Sequence, residues 1–196
     1  MTFLRRTLLP AVLVLVVLTL ITGVLYPVAI WAVGQVAFSQ QANGSLIIRD
    51  DGTAVGSSLI GQSFADPKYF TGRLSAAGAD GYDGMASAGS NLATNNQNLI
   101  DRVTKSVADF RAKYGDAPIP VDLITTSASG LDANISPAGA DYQVASVAKA
   151  RGIGEADVRA AVARHTQQPF LGFLGEARVN VLEVNLDLDG LLKATT

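Results

Sequence analysis

The stretch Ser127–Gln143, SASGLDANISPAGADYQ, concentrates hydroxyl, carboxylate and amide side chains whose types could do chemistry. Such groups cost free energy when they are buried without partners, so they serve catalysis, docking or a capped turn. A serine hydrolase needs a nucleophile, a base and a group that orients the base. The chain supplies these residue types as Ser127 or Ser129, His165 and Asp132.

The surrounding sequence argues against that catalytic use. No G-x-S-x-G elbow is present, because SASG lacks the first glycine. His165 follows a predicted helix, where a hydrogen-bonding side chain can serve the terminal carbonyls. Ser146 and Lys149 fit the S-x-x-K pattern, but the S-D-N and K-T-G elements of penicillin-binding enzymes are missing. We therefore expect no catalytic residues.

Metal and cofactor chemistry has little support in the composition. The chain has no cysteine and one histidine, which argues against a structural zinc site. Glu183, Asn185, Asp187 and Asp189 alternate along the chain and offer oxygen ligands, but a solvated strand face produces the same alternation. No G-x-x-x-x-G-K-[ST] phosphate loop is present. We expect no metal site and no cofactor bound by this chain on its own.

The longest apolar segment lies at the N-terminus. No charged residue occurs from Leu8 to Val33. A helix of this length would be about 39 Å long, enough to cross a hydrocarbon core about 30 Å thick. The apolar region of a signal peptide is shorter, about 7–15 residues. The sequence therefore predicts one uncleaved membrane span.

Charge predicts the orientation of this span. Arg5 and Arg6 precede it and the next charged residue is Arg49, so the positive-inside rule places the N-terminus in the cytoplasm. A net charge of −2 argues against a nucleic-acid partner. The predicted organisation is a cytoplasmic N-terminus at 1–7, a transmembrane helix at 8–33, a linker at 34–44 and an extracytoplasmic domain at 45–196.

Two features of the span have structural consequences. Thr19 and Gly23 form a narrow face where another helix could approach closely. Pro27 removes one hydrogen-bond donor and is expected to kink the outer part of the helix.

The exported part mixes strand and helix patterns in an irregular order, which predicts an α+β domain with a small mixed sheet and helices. An Asp-Gly pair between apolar runs indicates a hairpin, and Ser90 or Asn91 is expected to cap the first helix. Residues 61–90 are rich in Gly, Ala and Ser, with an aromatic patch expected to pack down. The predicted elements are a hairpin within 45–60, helices at 92–114, 137–151 and 155–164, and strands at 120–126 and 178–188.

We therefore predict that the stretch Ser127–Gln143 is a loop that leads from a strand into a helix. Ser136 and Pro137 have the types preferred at the N-cap and first position of a helix. Ser136 and Asp132 have local uses in caps and turns. Gln143 and Arg151 have no evident local partner, so we expect them to project from the helix.

Long segments of the chain match one family in order: TGVLYPVAIWAVGQVAF, GSSLIGQSF, YFTGRLSA, SAGSNLATNN, TTSASGLDANISPAGADYQVASVAKARG and HTQQPFLGFLGEARVNVLEVNLDLD. Together they resemble the C subunit of the Kdp potassium-transporting ATPase over essentially the whole length. The family usually reads closer to D-P-H-I-S where this chain has Asp132-Ala-Asn-Ile-Ser136.

The resemblance implies a non-catalytic subunit of a bacterial inner-membrane complex that imports potassium at the expense of ATP. The implied partners are the channel-like A subunit, the ATP-hydrolysing B subunit, the small F subunit and the lipid bilayer, with ATP and potassium handled by the partner subunits. The family is described as a catalytic chaperone that raises the ATP affinity of the B subunit, with nucleotide contact at the position of Gln143. The predicted orientation conflicts with that contact, because it places Gln143 outside the cytoplasm.

We therefore expect an indirect role, with the span packed on the A subunit and the domain over its outer mouth. The alternative is a membrane-anchored periplasmic hydrolase that uses Ser129, His165 and Asp132. The residues expected to contact a partner are Thr19, Gly23, Arg73, Asn91, Ser129, Asp132, Gln143 and Arg151.

Overall fold

The computed structural model describes residues 2–49 and 51–191. The chain forms two compact units, with the boundary between Leu46 and Ile47. Asp50 of the predicted hairpin, and the ends of the predicted N-terminal and extracytoplasmic segments at 1 and 192–196, lie outside the described residues.

The first unit is a long apolar helix. It consists of α1 (Thr2–Leu20), a π-helical turn (Ile21–Leu25) and α2 (Tyr26–Ala37). The segment Arg6–Ala37 has 32 residues, and its most apolar window of 18 residues has a mean hydropathy of 2.8 and is not buried within the protein. Its length and composition fit one N-terminal membrane anchor, as the sequence predicts.

The helix changes its hydrogen-bond spacing just before the proline. The N–H of Tyr26 donates to the carbonyl of Ile21, which is the wide spacing of a π-turn. Pro27 has no N–H to donate, so the regular ladder is interrupted here. The predicted linker at 34–44 is largely helical, because α2 continues to Ala37 and a short α3 follows at Ser39–Ala42. Its glutamine and alanine residues are good helix formers.

The second unit packs helices against small antiparallel sheets. The strands are β1 (Leu46–Ile48), β2 (Ala54–Ser57), β3 (Asn134–Ile135), β4 (Thr166–Gln167) and β5 (Arg178–Asn180). The helices are α4 (Gln97–Tyr114), α5 (Val121–Ile124), α6 (Pro137–Arg151), α7 (Glu155–Arg164) and α8 (Val181–Leu188). The α+β class is confirmed.

Strand β5 lies at the centre of a three-stranded sheet of order β3-β5-β4. Both pairings are antiparallel, and Val179 lies opposite Ile135 on one side and Thr166 on the other. Val179 is buried in the main core with Val144, Val147 and Val158. The core therefore joins the sheet to α6 and α7.

Several local predictions are confirmed. β1 and β2 form a hairpin whose turn uses Gly52 at a φ of 83°, a value that glycine tolerates. The Ser136 hydroxyl caps α6 by accepting from the N–H of Gly139 at 2.9 Å. Gly152 ends α6 in the left-handed conformation, as a helix-terminating glycine should.

The long C-terminal strand predicted at 178–188 is wrong. Only Arg178–Asn180 is strand, and Val181–Leu188 is helical. Asn180 caps this helix, because its side chain accepts from the N–H of Glu183 at 3.1 Å. This helix is buried on most of its surface, so it carries more apolar residues than an amphipathic helix. Its apolar residues therefore include every second position, which is also the pattern of a strand.

Two further predictions are wrong. The strand predicted at 120–126 is instead the short helix α5, which buries Leu123. Helix α4 begins at Gln97 and is capped by Asn96, whose side chain accepts from the N–H of Asn98. Asn91, one of the predicted caps, instead has a φ of 50° in the preceding loop.

Candidate functional site

Two buried amides hold one segment that lies outside the helices and strands. Gln143 on α6 accepts from the N–H of Thr71 at 2.8 Å and donates to its carbonyl at 3.0 Å. Asn185 on α8 pairs with Phe70 in the same way, at 2.8 and 3.0 Å. A side-chain amide has the donor and acceptor of a peptide group, so each residue replaces a neighbouring strand. Residues 68–71 are called the clamped segment below.

Arg151 fixes the start of the clamped segment. Its guanidinium donates to the carbonyls of Lys68 and Leu188 at 2.7 and 2.8 Å and pairs with Asp189 at 2.9 Å. The hydroxyl of Tyr69 donates to Asp189 at 2.7 Å, and this hydrogen bond raises the pKa of Tyr69. Helices α6 and α8 therefore meet at this segment.

The prediction that Gln143 and Arg151 project outward is wrong. Gln143 is 0% exposed, and the side chain of Arg151 is 10% exposed. The amide of Gln143 is also bonded to the hydroxyl of Tyr114 and the carbonyl of Gly139, so a ligand could reach it only by displacing these groups and Thr71. The sequence does carry a signal for this burial: Gln143 stands between Ala140 and Val147 at helical spacing, on the face that α6 buries.

Asp132 forms an ion pair with the Arg73 side chain, at 3.2 Å between Oδ2 and Nη1. Asp132 also accepts from the N–H of Asn134 at 3.0 Å. The hydroxyl of Tyr82 donates a short hydrogen bond to the carbonyl of Arg73, and burial raises the pKa of Tyr82 to about 12. Sequence reasoning missed Tyr82, whose tyrosine type alone carries no positional signal.

This ion pair borders a polar cleft of about 370 Å³. Asp122, at its edge, accepts from both the N–H and the hydroxyl of Ser136, at 2.7 and 3.1 Å. These carboxylates are therefore committed to neighbouring groups. The cleft is lined by Arg73, Asp122, Asp132, Asn134, Ile135, Ser136, Glu176 and Arg178.

Hydrogen bonds do not link the residues of the hydrolase alternative into a triad. Ser129 is exposed, and its hydroxyl accepts from the N–H of Leu131 at 3.1 Å in a local turn. The ring nitrogens of His165 lie 3.4 Å from a carboxylate oxygen of Glu183 and 3.1 Å from one of Asp187. Among the described residues, no hydrogen bond joins His165 to Asp132 or to a serine.

His165 caps α7 through its backbone rather than its side chain, because its N–H donates to the carbonyls of Ala161 and Val162. The hydrogen bond to Glu183, opposed by burial and reinforced by Asp187, raises the pKa of the ring above its usual 6.5. The ring thus joins the end of α7 to α8.

The acidic row at 183–189 is not a solvated strand face. Asn185 is buried, Asp187 pairs with Arg164 at 2.7 Å, and Asp189 pairs with Arg151. Within the ranges that the structure describes, no group of three or more His, Asp or Glu residues is arranged to hold a metal ion.

The remaining partner-contact residues differ in their surroundings. Thr19 and Gly23 lie on one face of the long helix, since a Cβ at Gly23 would be 3.9 Å from Cγ2 of Thr19. Asn91 is exposed like Ser129, whereas Arg73 is only partly exposed. Of the six predicted contact residues in the second unit, Arg73 and Asp132 form an ion pair, whereas Gln143 and Arg151 bind the clamped segment.

The comparisons with known proteins agree with one another. A family model, KdpC, described as "K+-transporting ATPase, c chain", matches residues 8–190. A protein of Koribacter versatilis named "Potassium-transporting ATPase KdpC subunit" is 52% identical over 186 residues, which cover 95% of each chain. A Sorangium cellulosum protein of the same name is 55% identical over 183 residues, covering 92% of this chain and 96% of the relative.

Proposed function

This chain belongs to the KdpC family of K+-transporting ATPase subunits, and from that premise we propose that it stabilises the assembled pump from the extracytoplasmic side. Its long helix packs against the channel-like subunit, and its domain lies over the outer mouth of that subunit. ATP hydrolysis and ion translocation belong to the partner subunits.

The observation that supports this role most directly is the internal use of the polar side chains. Gln143, Asn185 and Arg151 all bind the backbone of the clamped segment or its neighbours. The polar atoms of these three side chains are hydrogen-bonded apart from Nη2 of Arg151, and such networks make a domain rigid and specify one arrangement. A rigid domain on a single anchor suits a subunit that holds others in place.

An effect of this subunit on ATP affinity is indirect under this proposal. Arg5 and Arg6 favour the cytoplasmic side for the N-terminus, which leaves Gln143 on the side without ATP. Burial of Gln143 supports the same conclusion independently of orientation. The subunit would influence the ATP-hydrolysing subunit through the arrangement of the membrane subunits.

The proposal is tested in cells that lack this subunit but contain the rest of the pump. Restoring the chain with an affinity tag should restore uptake at low external potassium, and the channel-like and ATP-hydrolysing subunits should purify with it. Ser129→Ala serves as a control for the hydrolase alternative, because a catalytic serine would cost all activity, whereas a contact residue would cost only a fraction of the complex yield. Uptake that does not depend on the chain would contradict the proposal.

Orientation is tested with a C-terminal tag and added protease. Cleavage in intact spheroplasts is expected, since the domain should lie outside the cytoplasm. Protection of the tag until the cells are lysed would reverse the orientation and favour direct action on the cytoplasmic ATP site. A cytoplasmic marker protein that stays intact shows that the spheroplasts are sealed.

A further inference from the structure

Four large apolar side chains are exposed within five consecutive residues between β4 and β5. Phe170 and Leu171 are each 70% exposed, Phe173 is 73% and Leu174 is 51%. Single exposed apolar residues are ordinary on proteins, but a contiguous group marks an interaction site. None of the four packs against the main hydrophobic core. Residues 170–174 are called the apolar turn.

The apolar turn has a defined backbone. The N–H of Phe170 donates to the carbonyl of Leu174 at 2.9 Å, and the reverse bond has the same length. Leu171 has a φ of 54°, which is unfavourable for a leucine. The turn connects strands β4 and β5, in which Gln167 lies opposite Arg178. The four side chains are thus presented by an ordered backbone, which lowers the entropy lost on binding.

The charges around the turn favour a protein partner over a lipid surface. Residues 165–177 contain no lysine or arginine, although peripheral membrane segments commonly combine apolar residues with basic ones. Arg178 is the next basic residue, and its guanidinium donates to Gln167 at 3.1 and 2.9 Å. Glu176 is exposed and has no ion-pair partner among the described residues. The complementary surface is apolar and carries a positive charge at its edge.

We propose that the apolar turn is an anchor by which this domain docks into an apolar pocket on an extracytoplasmic protein surface. A lysine or arginine at the rim of that pocket pairs with Glu176. The proposal rests on the proposed function in one respect, since the pocket belongs to another subunit of the same pump. The aromatic rings are the central contacts, as large buried aromatics commonly are in interfaces.

The absence of cysteine from the chain allows a direct test. Phe173→Cys places a single thiol in the apolar turn, and Leu59→Cys places one at a matched exposed position, where the native side chain is 65% exposed. Each full-length variant is reacted with a membrane-impermeant maleimide, first alone in vesicles of phosphatidylethanolamine and phosphatidylglycerol and then in the assembled pump.

Assembly is expected to slow labelling at position 173 by about tenfold or more, because docking excludes water from the centre of an interface. Labelling at position 59 should remain fast in both states. Protection at position 173 in vesicles without the other subunits would assign the turn to lipid and overturn the proposal. Fast labelling at both positions in a pump that contains this chain would also overturn it and leave the proposed function intact.

A second experiment measures how strongly this chain associates with the other subunits when Phe170 or Glu176 is replaced. Phe170→Ser and Glu176→Arg should each weaken association with the other subunits, by about 10-fold or more for the aromatic change. Leu59→Ser should not change it. Unchanged association in both variants would exclude the anchor, while failure of even the unmodified chain to purify with the pump would remove both this inference and the proposed function.

Discussion

Gln143 and Asn185 act as substitutes for a missing strand. Each offers one acceptor and one donor to the backbone of the clamped segment, so Phe70 and Thr71 have satisfied peptide groups without sheet neighbours. Buried peptide groups need such partners, because an unpaired one costs free energy. At this scale the domain depends on two amides that are far apart in sequence.

Gln143→Leu should lower the free energy of unfolding by about 1–3 kcal/mol, because it leaves the N–H and carbonyl of the partly buried Thr71 without their side-chain partner. Circular dichroism during urea unfolding of the full chain in detergent measures the change. Gln97→Leu, at an exposed position on α4, is the matched control and should change stability by about 0.5 kcal/mol or less. Equal effects of the two changes would contradict the clamp.

His165 makes stability depend on pH. Its pKa is raised in the folded chain, so its contribution is complete below the unfolded value near 6.5 and is lost as the pH rises through the folded pKa. Melting temperatures measured from about pH 5.5 to about pH 8.5 should therefore fall more steeply for the native chain than for His165→Gln. Parallel curves would show that Glu183 and Asp187 do not hold the charged ring.

At the scale of elements, a loop and a turn support each other. The hydroxyl of Ser75 donates to the carbonyl of Gly130 at 2.6 Å and accepts from the N–H of Tyr82 at 2.7 Å. Ser87 donates to the carbonyl of Ser129 at 3.0 Å. The glycine-rich stretch at 61–90 is therefore held against the turn at 127–130, although it contains little regular structure.

Gly130→Ala should destabilise the domain by about 2 kcal/mol or more, because Gly130 has a φ of 68° and an added Cβ would lie 2.6 Å from the carbonyl oxygen of Ala88. Gly84→Ala is the matched control, with no atom within 4 Å of the added Cβ. Thermal unfolding of both variants measures the difference. A neutral Gly130→Ala would show that the loop does not pack closely on the turn.

At the scale of the whole molecule, an anchor and a domain are separate units. The most apolar part of the anchor is not buried within the protein, so lipid or other helices must cover it. Membrane helices associate by close packing at small residues. Thr19 and Gly23 supply the narrow face on which we expect a neighbouring helix.

Gly23→Leu should reduce the amount of partner subunit that purifies with this chain, because the added side chain fills the space where a second helix approaches. Ala29→Leu adds comparable volume on another face of the span and should have a smaller effect. The yield of complex in mild detergent is the measurement. Equal yields for the two variants would place the helix contact elsewhere.

The sequence determined the features that depend on a few neighbouring residues. The length of the apolar run predicts the span, Ser136 and Gly152 bound α6, and Asp51-Gly52 marks the hairpin turn. The cap at Ser136 depends on a local hydrogen bond, and the glycines depend on backbone conformational preference. The membrane span depends on the hydrophobic effect. The ordered motifs likewise sufficed to predict the family.

Only the tertiary structure decided what the polar residues do. Gln143 meets Thr71 across 72 positions, and Asn185 meets Phe70 across 115. The sequence alone does not distinguish a buried glutamine or asparagine from an exposed one. The burial of α8 on most sides likewise gave a helix the apolar pattern of a strand. Local patterns cannot distinguish these cases, because the free energy of a buried polar group depends on partners that folding brings from distant parts of the chain.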